Sequence, residues 1–220
     1  MIKISKRLEA IASLTPCDSK VIDIGCDHGL LDIYLYQNKI SKKIIASDVN
    51  KNALNNAKQN LKKHQLEPYL EARLGNGLDT LKKEDETNTI IISGMGAHTI
   101  IDILNNGKEK LNTIDTIIIQ SNTKIELLRK KIADLNFYID DEELLEENKK
   151  IYTIIKFKKG KIRYNKKQLY FGPILLDKNS ELFRKTNALE LQNLKKILEQ
   201  MPLYKIIDRY KIKKRIQLYK

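Results

Sequence analysis

Cysteine is nearly missing from this sequence. Cys17 and Cys26 are the only two, and their spacing suits neither a disulfide framework nor a metal site. A reduced, cytoplasmic protein without a bound metal is therefore expected. Long apolar runs are missing too. Nothing approaches the ~18 residues of a membrane span, and no N-terminal apolar run leads into a cleavage site, so neither a membrane helix nor a secretion signal is expected. No internal repeat is visible. Acidic residues are scarce at one end. Residues 161–220 hold 16 Lys and Arg against 5 Asp and Glu, so only +2 of the net charge of +13 belongs to residues 1–160. The chain is rich in Lys, Ile and Asn throughout, but compositional drift would not gather the surplus at one end. Polyanions are the natural partners of such a tail, and nucleic acid is the expected one.

A glycine is also missing where a dinucleotide turn would need it. The run Val21-Ile22-Asp23-Ile24-Gly25-Cys26-Asp27-His28-Gly29-Leu30-Leu31 reads as a buried strand, a tight turn and a helix start. A pyrophosphate-binding turn follows G-x-G-x-x-G, whose middle glycine lets the backbone come close. Asp27 stands in that place, and its carboxylate would repel a pyrophosphate. S-adenosylmethionine (SAM) suits the turn better, because it has no phosphate and carries a sulfonium and an α-amino group. An NAD-dependent dehydrogenase is disfavoured on the same ground.

A second apolar strand, Lys43-Ile44-Ile45-Ala46-Ser47, runs into Asp48. This acid lies 23 residues beyond Gly25, close to the ~20 expected of the acid that holds ribose hydroxyls. Its simpler role would be as N-cap of the helix predicted from about Lys51 to His64. A third short strand, Tyr69 to Leu74, ends in Gly75-Asn76-Gly77, either a plain turn or a place where Asn76 meets an adenine amino group. A fourth, Thr89 to Ser93, has the all-apolar centre of a strand covered on both faces. It enters Gly94-Met95-Gly96, whose glycines let backbone pass close to a ligand. Ile2 to Leu14 reads as an amphipathic helix. Arg7 on it is either a solvated arginine or one that reaches the carboxylate of a bound amino acid.

Thr99 to Leu111 reads as the next helix, Thr116 to Gln120 as a fifth strand, and the chain from Ser121 to Leu135 as a further helix. Phe137 to Leu145 and Lys150 to Lys158 form a strand pair with Glu146-Glu147-Asn148 as an acidic turn. Such alternation predicts an α/β, doubly wound, Rossmann-like parallel sheet. We divide the chain at residues 1–160 and 161–220. Gly160 to Asn165 is the connector, and Tyr170-Phe171-Gly172-Pro173 marks a boundary. Beyond it, Leu182, Leu189, Leu191, Leu194, Ile197 and Leu198 lie on one amphipathic helix, and Tyr204, Ile207, Tyr210 and Ile216 on a second after Pro202. The two should pack antiparallel. Lys211, Lys213, Lys214 and Arg215 make the last helix strongly positive and are the expected RNA contacts. No long dimer seam is visible, and a monomer is expected.

Together these motifs resemble the bacterial tRNA (adenine-22-N1) methyltransferase family. The matches run nearly end to end: Ser5-Lys6-Arg7-Leu8-Glu9-Ala10, Asp23-Ile24-Gly25 with Asp27-His28, Gly75-x-Gly77-Leu78, Gly94-Met95-Gly96, Gly107-Lys108-Glu109-Lys110-Leu111, Leu127-x-Arg129-Lys130, Lys150-Ile151-Tyr152 and Tyr170-Phe171-Gly172-Pro173. The resemblance implies a SAM-dependent domain followed by a small helical domain, and methylation at N1 of an adenine in the D-arm region of tRNA. It implies SAM contacts at Gly25, Asp27, Asp48, Asn76, Gly77, Gly94, Met95 and Gly96, to which we add Arg7. The sequence departs from the family pattern at Asn76, usually Asp, at Ala97, usually Gly, and at Ser121, usually Pro.

Adenine N1 carries a free lone pair at neutral pH, so no general base is needed before it attacks the methyl group in line. Orientation and desolvation then carry much of the rate. The product ring is cationic. Asp27 and His28 are the candidates for catalytic groups near the reacting centre, with His28 equally suited to cap the helix or to stack on the base. Two rivals remain on sequence alone: a SAM enzyme for another RNA site or a small molecule, and a non-catalytic RNA-binding protein on a SAM-type fold.

Overall fold

Isoleucine runs lay out the centre of the sheet. In the computed structural model, which describes all 220 residues, the first unit spans Met1–Arg163 and the second Tyr164–Lys220. The first contains strands β1 (Lys20–Ile24), β2 (Lys43–Asp48), β3 (Leu70–Leu74), β4 (Thr89–Met95), β5 (Thr116–Ser121), β6 (Phe137–Glu147) and β7 (Lys150–Lys159). Helices α1 (Lys6–Leu14), α2 (Leu30–Gln37), α3 (Lys51–Lys63), α4 (Ala97–Asn106) and α5 (Ile125–Asp134) alternate with them. The sheet order is β3-β2-β1-β4-β5-β7-β6. The first five strands are parallel, and β7 runs antiparallel between β5 and β6. Ile90, Ile91 and Ile92 of β4 and Ile117, Ile118 and Ile119 of β5 are fully buried, as expected of parallel strands covered on both faces.

This order positions the site. The chain winds outward from β1 to β3, then crosses back to lay β4 on the other side of β1. The crevice beyond the carboxyl ends of β1 and β4 is the topological switch point, where open α/β sheets take ligands.

Several local expectations shift. Ser5 is the N-cap of α1, its side chain accepting from the Leu8 N–H, so the helix starts at Lys6 and not at Ile2. Glu146 and Glu147 belong to β6. The turn is Asn148-Lys149, both with positive φ, the backbone of a two-residue hairpin loop that follows the strand twist. The helix predicted from Thr99 to Leu111 starts at Ala97 and ends at Asn106 with Gly107 as C-cap, and a separate 3-10 helix covers Lys108–Thr113.

The second unit holds α6 (Lys166–Phe171), α7 (Pro173–Lys178), α8 (Glu181–Gln200) and α9 (Ile206–Gln217). Tyr170-Phe171-Gly172-Pro173 is a corner inside this unit: Gly172, at φ +95°, joins α6 to α7. Tyr170, Phe171, Phe183 and Tyr219 pack edge to face with ring centres 4.9–6.3 Å apart, and they close one end of the antiparallel α8–α9 pair. The packed face of α9 differs from the expected one. Arg209, Ile212, Ile216 and Tyr219 are half-buried, whereas Ile207 and Tyr210 are exposed, as is Tyr204 before the helix. Two apolar periodicities overlap in this helix, and the seam follows the one that contains Ile212 and Ile216.

Candidate functional site

The β1–α2 turn is built on left-handed residues. Gly25, Asp27 and Gly29 have φ of +80°, +51° and +66°. The Gly25 and Cys26 N–H groups both donate to the Ser47 carbonyl, at 2.8 and 3.0 Å, which ties the turn to the end of β2. A Cβ on Gly29 would lie 3.3 Å from Ala57 Cβ, so the glycine also admits α3 close to the start of α2.

Asp48 fastens the same turn from the side. Its Oδ2 accepts from the Asp27 N–H at 3.1 Å and its Oδ1 from the Asn50 N–H at 2.8 Å. The N-cap of α3 is Asn50, whose side chain accepts from Asn52 and Ala53. Asp48 is therefore not the cap that its position suggested, and each of its oxygens keeps a lone pair. The His28 ring and the Asp27 carboxylate stand 3.6 Å apart, both well exposed.

Asp23 lies beneath the turn. Burial, then the Asp48 charge, push its pKa up to about 7, against the opposing pull of Arg7. Asp32 on α2 is fully buried and raised in the same direction, by burial and then by Asp23. Burial and these acids also push the buried Cys26 thiol well above its usual range. Cys17 is exposed, and both cysteines are free.

A cavity of about 420 Å³ opens over these groups. It is lined by Arg7, Asp23, Gly25, Asp27, His28, Asp48, Gly94 and Met95, among others. The structure thus gathers seven of the predicted site residues outside the tail around one space. Asn76 instead lines a smaller cavity of about 160 Å³ with Leu78, Asp102 and Gly107. Gly77 is buried at the start of the 3-10 helix Gly77–Thr80, and Gly96 is the N-cap of α4. The Asn76 loop is held from two sides. Lys110 Nζ donates to the Leu78 and Leu81 carbonyls at 2.7 and 2.8 Å, and Arg73 donates to the Thr80 carbonyl at 2.8 Å.

Three residues of the site were not predicted from sequence. Gln120, fully buried at the end of β5, accepts through Oε1 from Arg7 at 2.7 Å and from the Gly94 N–H at 3.0 Å. Its Nε2 donates to Asn122 Oδ1 at 3.2 Å, and Asn122 Nδ2 donates to the Gly94 carbonyl at 2.9 Å. The Arg7 guanidinium also stands 5.7 Å from the centre of the Tyr152 ring. Arg7, Gly94, Asn122, Lys150 and Tyr152 line a second space of about 700 Å³. Arg7 and Gly94 are common to the two. The only advance signal was a glutamine after three isoleucines and a Lys-Ile-Tyr motif without a role.

In the second unit, Lys211, Lys213, Lys214 and Arg215 all lie on α9. Lys214 Nζ stands over the Tyr210 ring at 5.5 Å and the Arg215 guanidinium over Tyr170 at 5.4 Å, so Arg215 also packs against the closed end of the helix pair.

The model of the tRNA (adenine(22)-N(1))-methyltransferase (TrmK) family matches residues 21–220. The chain is 32% identical over 206 residues to the Bacillus subtilis tRNA (adenine(22)-N(1))-methyltransferase, covering 91% of this chain and 86% of that protein. Streptococcus pneumoniae Sp1610 in complex with S-adenosyl-L-methionine superposes with a TM-score of 0.90 at 32% identity, over 98% of this chain and 97% of that one. M. capricolum TrmK with S-adenosyl-homocysteine gives 0.87 at 31%, over 98% and 95%.

Proposed function

The chain belongs to the tRNA (adenine(22)-N(1))-methyltransferase family, and from that premise we infer how its two neighbouring cavities divide the work. It is a SAM-dependent methyltransferase that modifies N1 of adenine 22 in tRNA. The observation that carries the division is the wall of Arg7 and Gly94 shared by two spaces at the switch point of the sheet.

The smaller of these two spaces fits SAM. Asp48 has lone pairs left for ribose hydroxyls, Arg7 offers a cation for the amino-acid carboxylate, and Asp27 offers an anion for its ammonium. Gly25, Gly94, Met95 and Gly96 shape the path, and Asn76 with Gly77 receives the adenine end. SAM supplies an electrophilic methyl group there. The larger space takes the target base. Tyr152 offers a ring face for stacking and Asn122 an amide for a base edge. Gln120 holds Arg7, Gly94 and Asn122 in one hydrogen-bonded set, which fixes the border between the two spaces. The target nitrogen brings its own lone pair, so the site needs no base before attack. Asp27 and His28 line the SAM space and not the base space, so as candidates near the reacting centre they act from the cofactor side. A base paired in a duplex hides N1, so the target must be unstacked first. The basic second unit contributes phosphate contacts. No helix is long and apolar enough to cross a membrane. The reading includes a cytoplasmic location and a monomeric enzyme.

The test is methyl transfer from labelled SAM to unmodified tRNA, with mapping of the modified nucleotide. Label at N1 of adenine 22 is expected, and no label when another base stands there. Tyr152→Ala should weaken productive tRNA binding roughly tenfold, the scale of one lost base stack, with SAM affinity within twofold of wild type. Equal loss of SAM affinity would overturn the assignment of the second space.

A further inference from the structure

We infer that the open end of the α8–α9 hairpin is a stacking platform for unpaired bases of the RNA substrate. The inference rests on the tRNA reading above and adds a second contact surface to it.

The two ends of the hairpin differ. One is sealed by the packed rings of Tyr170, Phe171, Phe183 and Tyr219. The other carries large apolar side chains in water: Leu203 is 81% exposed, Tyr204 79%, Ile206 73%, Ile207 70% and Tyr210 60%. These are not residues of a loose end awaiting a core. The Arg209 guanidinium donates to the Leu198 and Met201 carbonyls, so it caps α8 and pins the connection between the helices. With Arg209, Ile212 and Ile216 turned to the seam, helical spacing places Ile207 and Tyr210 on the opposite face, together with Lys211 and Lys214.

Charge selects the occupant. Residues 201–220 hold seven Lys and Arg against one Asp, so a second copy of this surface would bring like charges together. RNA supplies phosphates for the cations. A continuous duplex buries its base faces and offers the rings nothing, whereas loops and bulges present bases that stack on aromatic side chains. Lys214 lies over the Tyr210 ring and leaves the opposite ring face for a base.

The test compares full-length wild type, a Tyr204→Ala/Tyr210→Ala double variant and the matching double Phe variant. Binding to unmodified tRNA and to a blunt RNA duplex without loops is measured across a salt titration. The Ala pair should lose roughly tenfold or more on tRNA and about twofold or less on the duplex. Its log–log salt slope should be unchanged, because no phosphate contact is removed. The Phe pair should stay near wild type. Equal loss on both RNAs, no loss on tRNA, or a wild-type dimer that the Ala pair dissolves would each overturn the inference. Melting temperature and SAM affinity report whether the variants fold. Wild-type transfer to adenine 22 is scored separately, so a failure of the family reading and a failure of the platform are told apart.

Discussion

Asp32 holds both carboxyl oxygens inside the protein without a hydrogen-bond partner, beside an Asp23 that is itself raised to about pH 7. Both shifts have the same sign. Between about pH 4 and 7 the folded state keeps a proton that the unfolded chain has given up. Stability from this pair is therefore present at low pH and is lost as pH rises. Asp32→Asn removes the cost of ionisation at a similar volume. Its melting temperature relative to wild type should climb steadily from pH 4 to pH 8, and a flat difference across that range would show that Asp32 does not titrate with folding. At this scale the sequence was readable where chemistry is local. Gly25, Asp27 and Asp48 were found from turn geometry and spacing alone. Gln120 was not, because its role exists only once β5 lies beside β4 and Ser93 pairs with Gln120. Asp32 was hidden as well, since a lone acid early in an amphipathic helix reads as its solvent face.

At the scale of elements, the family motif Gly107-Lys108-Glu109-Lys110-Leu111 acquires a cause. A Cβ on Gly107 would lie 2.4 Å from Leu78, and Lys110 closes on the carbonyls of the same 3-10 turn. The motif therefore acts on the Asn76 loop from over thirty residues away. Lys110→Met should cost about 1.5–3 kcal/mol of stability, as for hydrogen bonds from a charged group. SAM affinity should fall several-fold while the turnover at saturating SAM stays near wild type. Unchanged SAM affinity with a lowered melting temperature would confine Lys110 to a structural role. The seven strands and the closing pair follow from alternation and apolar runs, which is why they were legible, whereas their order in the sheet is shown by the structure. Element ends were less so where Ser5 and Gly107 set them through capping bonds that periodicity does not report, whereas α3 begins at Lys51 as read and only its cap, Asn50, was missed.

At the scale of the whole molecule, charge and chemistry are divided between the two units. Reversing charge at Lys213, Lys214 and Arg215 should raise the KM for tRNA tenfold or more at moderate salt and flatten its salt dependence. SAM affinity should not change. A parallel loss of SAM affinity would show that these residues support the fold of the first unit and not the RNA. The positive tail was evident from composition. Which side of α9 meets its partner helix was not, because Ile207 and Tyr210 compete with Ile212 and Ile216 for the same apolar pattern, and only packing against α8 decides between them. The two cysteines, dismissed at the outset as too few for a framework, leave the native protein with a convenience for such measurements. The Cys26 thiol is buried and held protonated, while Cys17 is open to water. Thiol-directed dyes should therefore attach at one position without any engineering, and RNA association can be followed by fluorescence on the unaltered sequence.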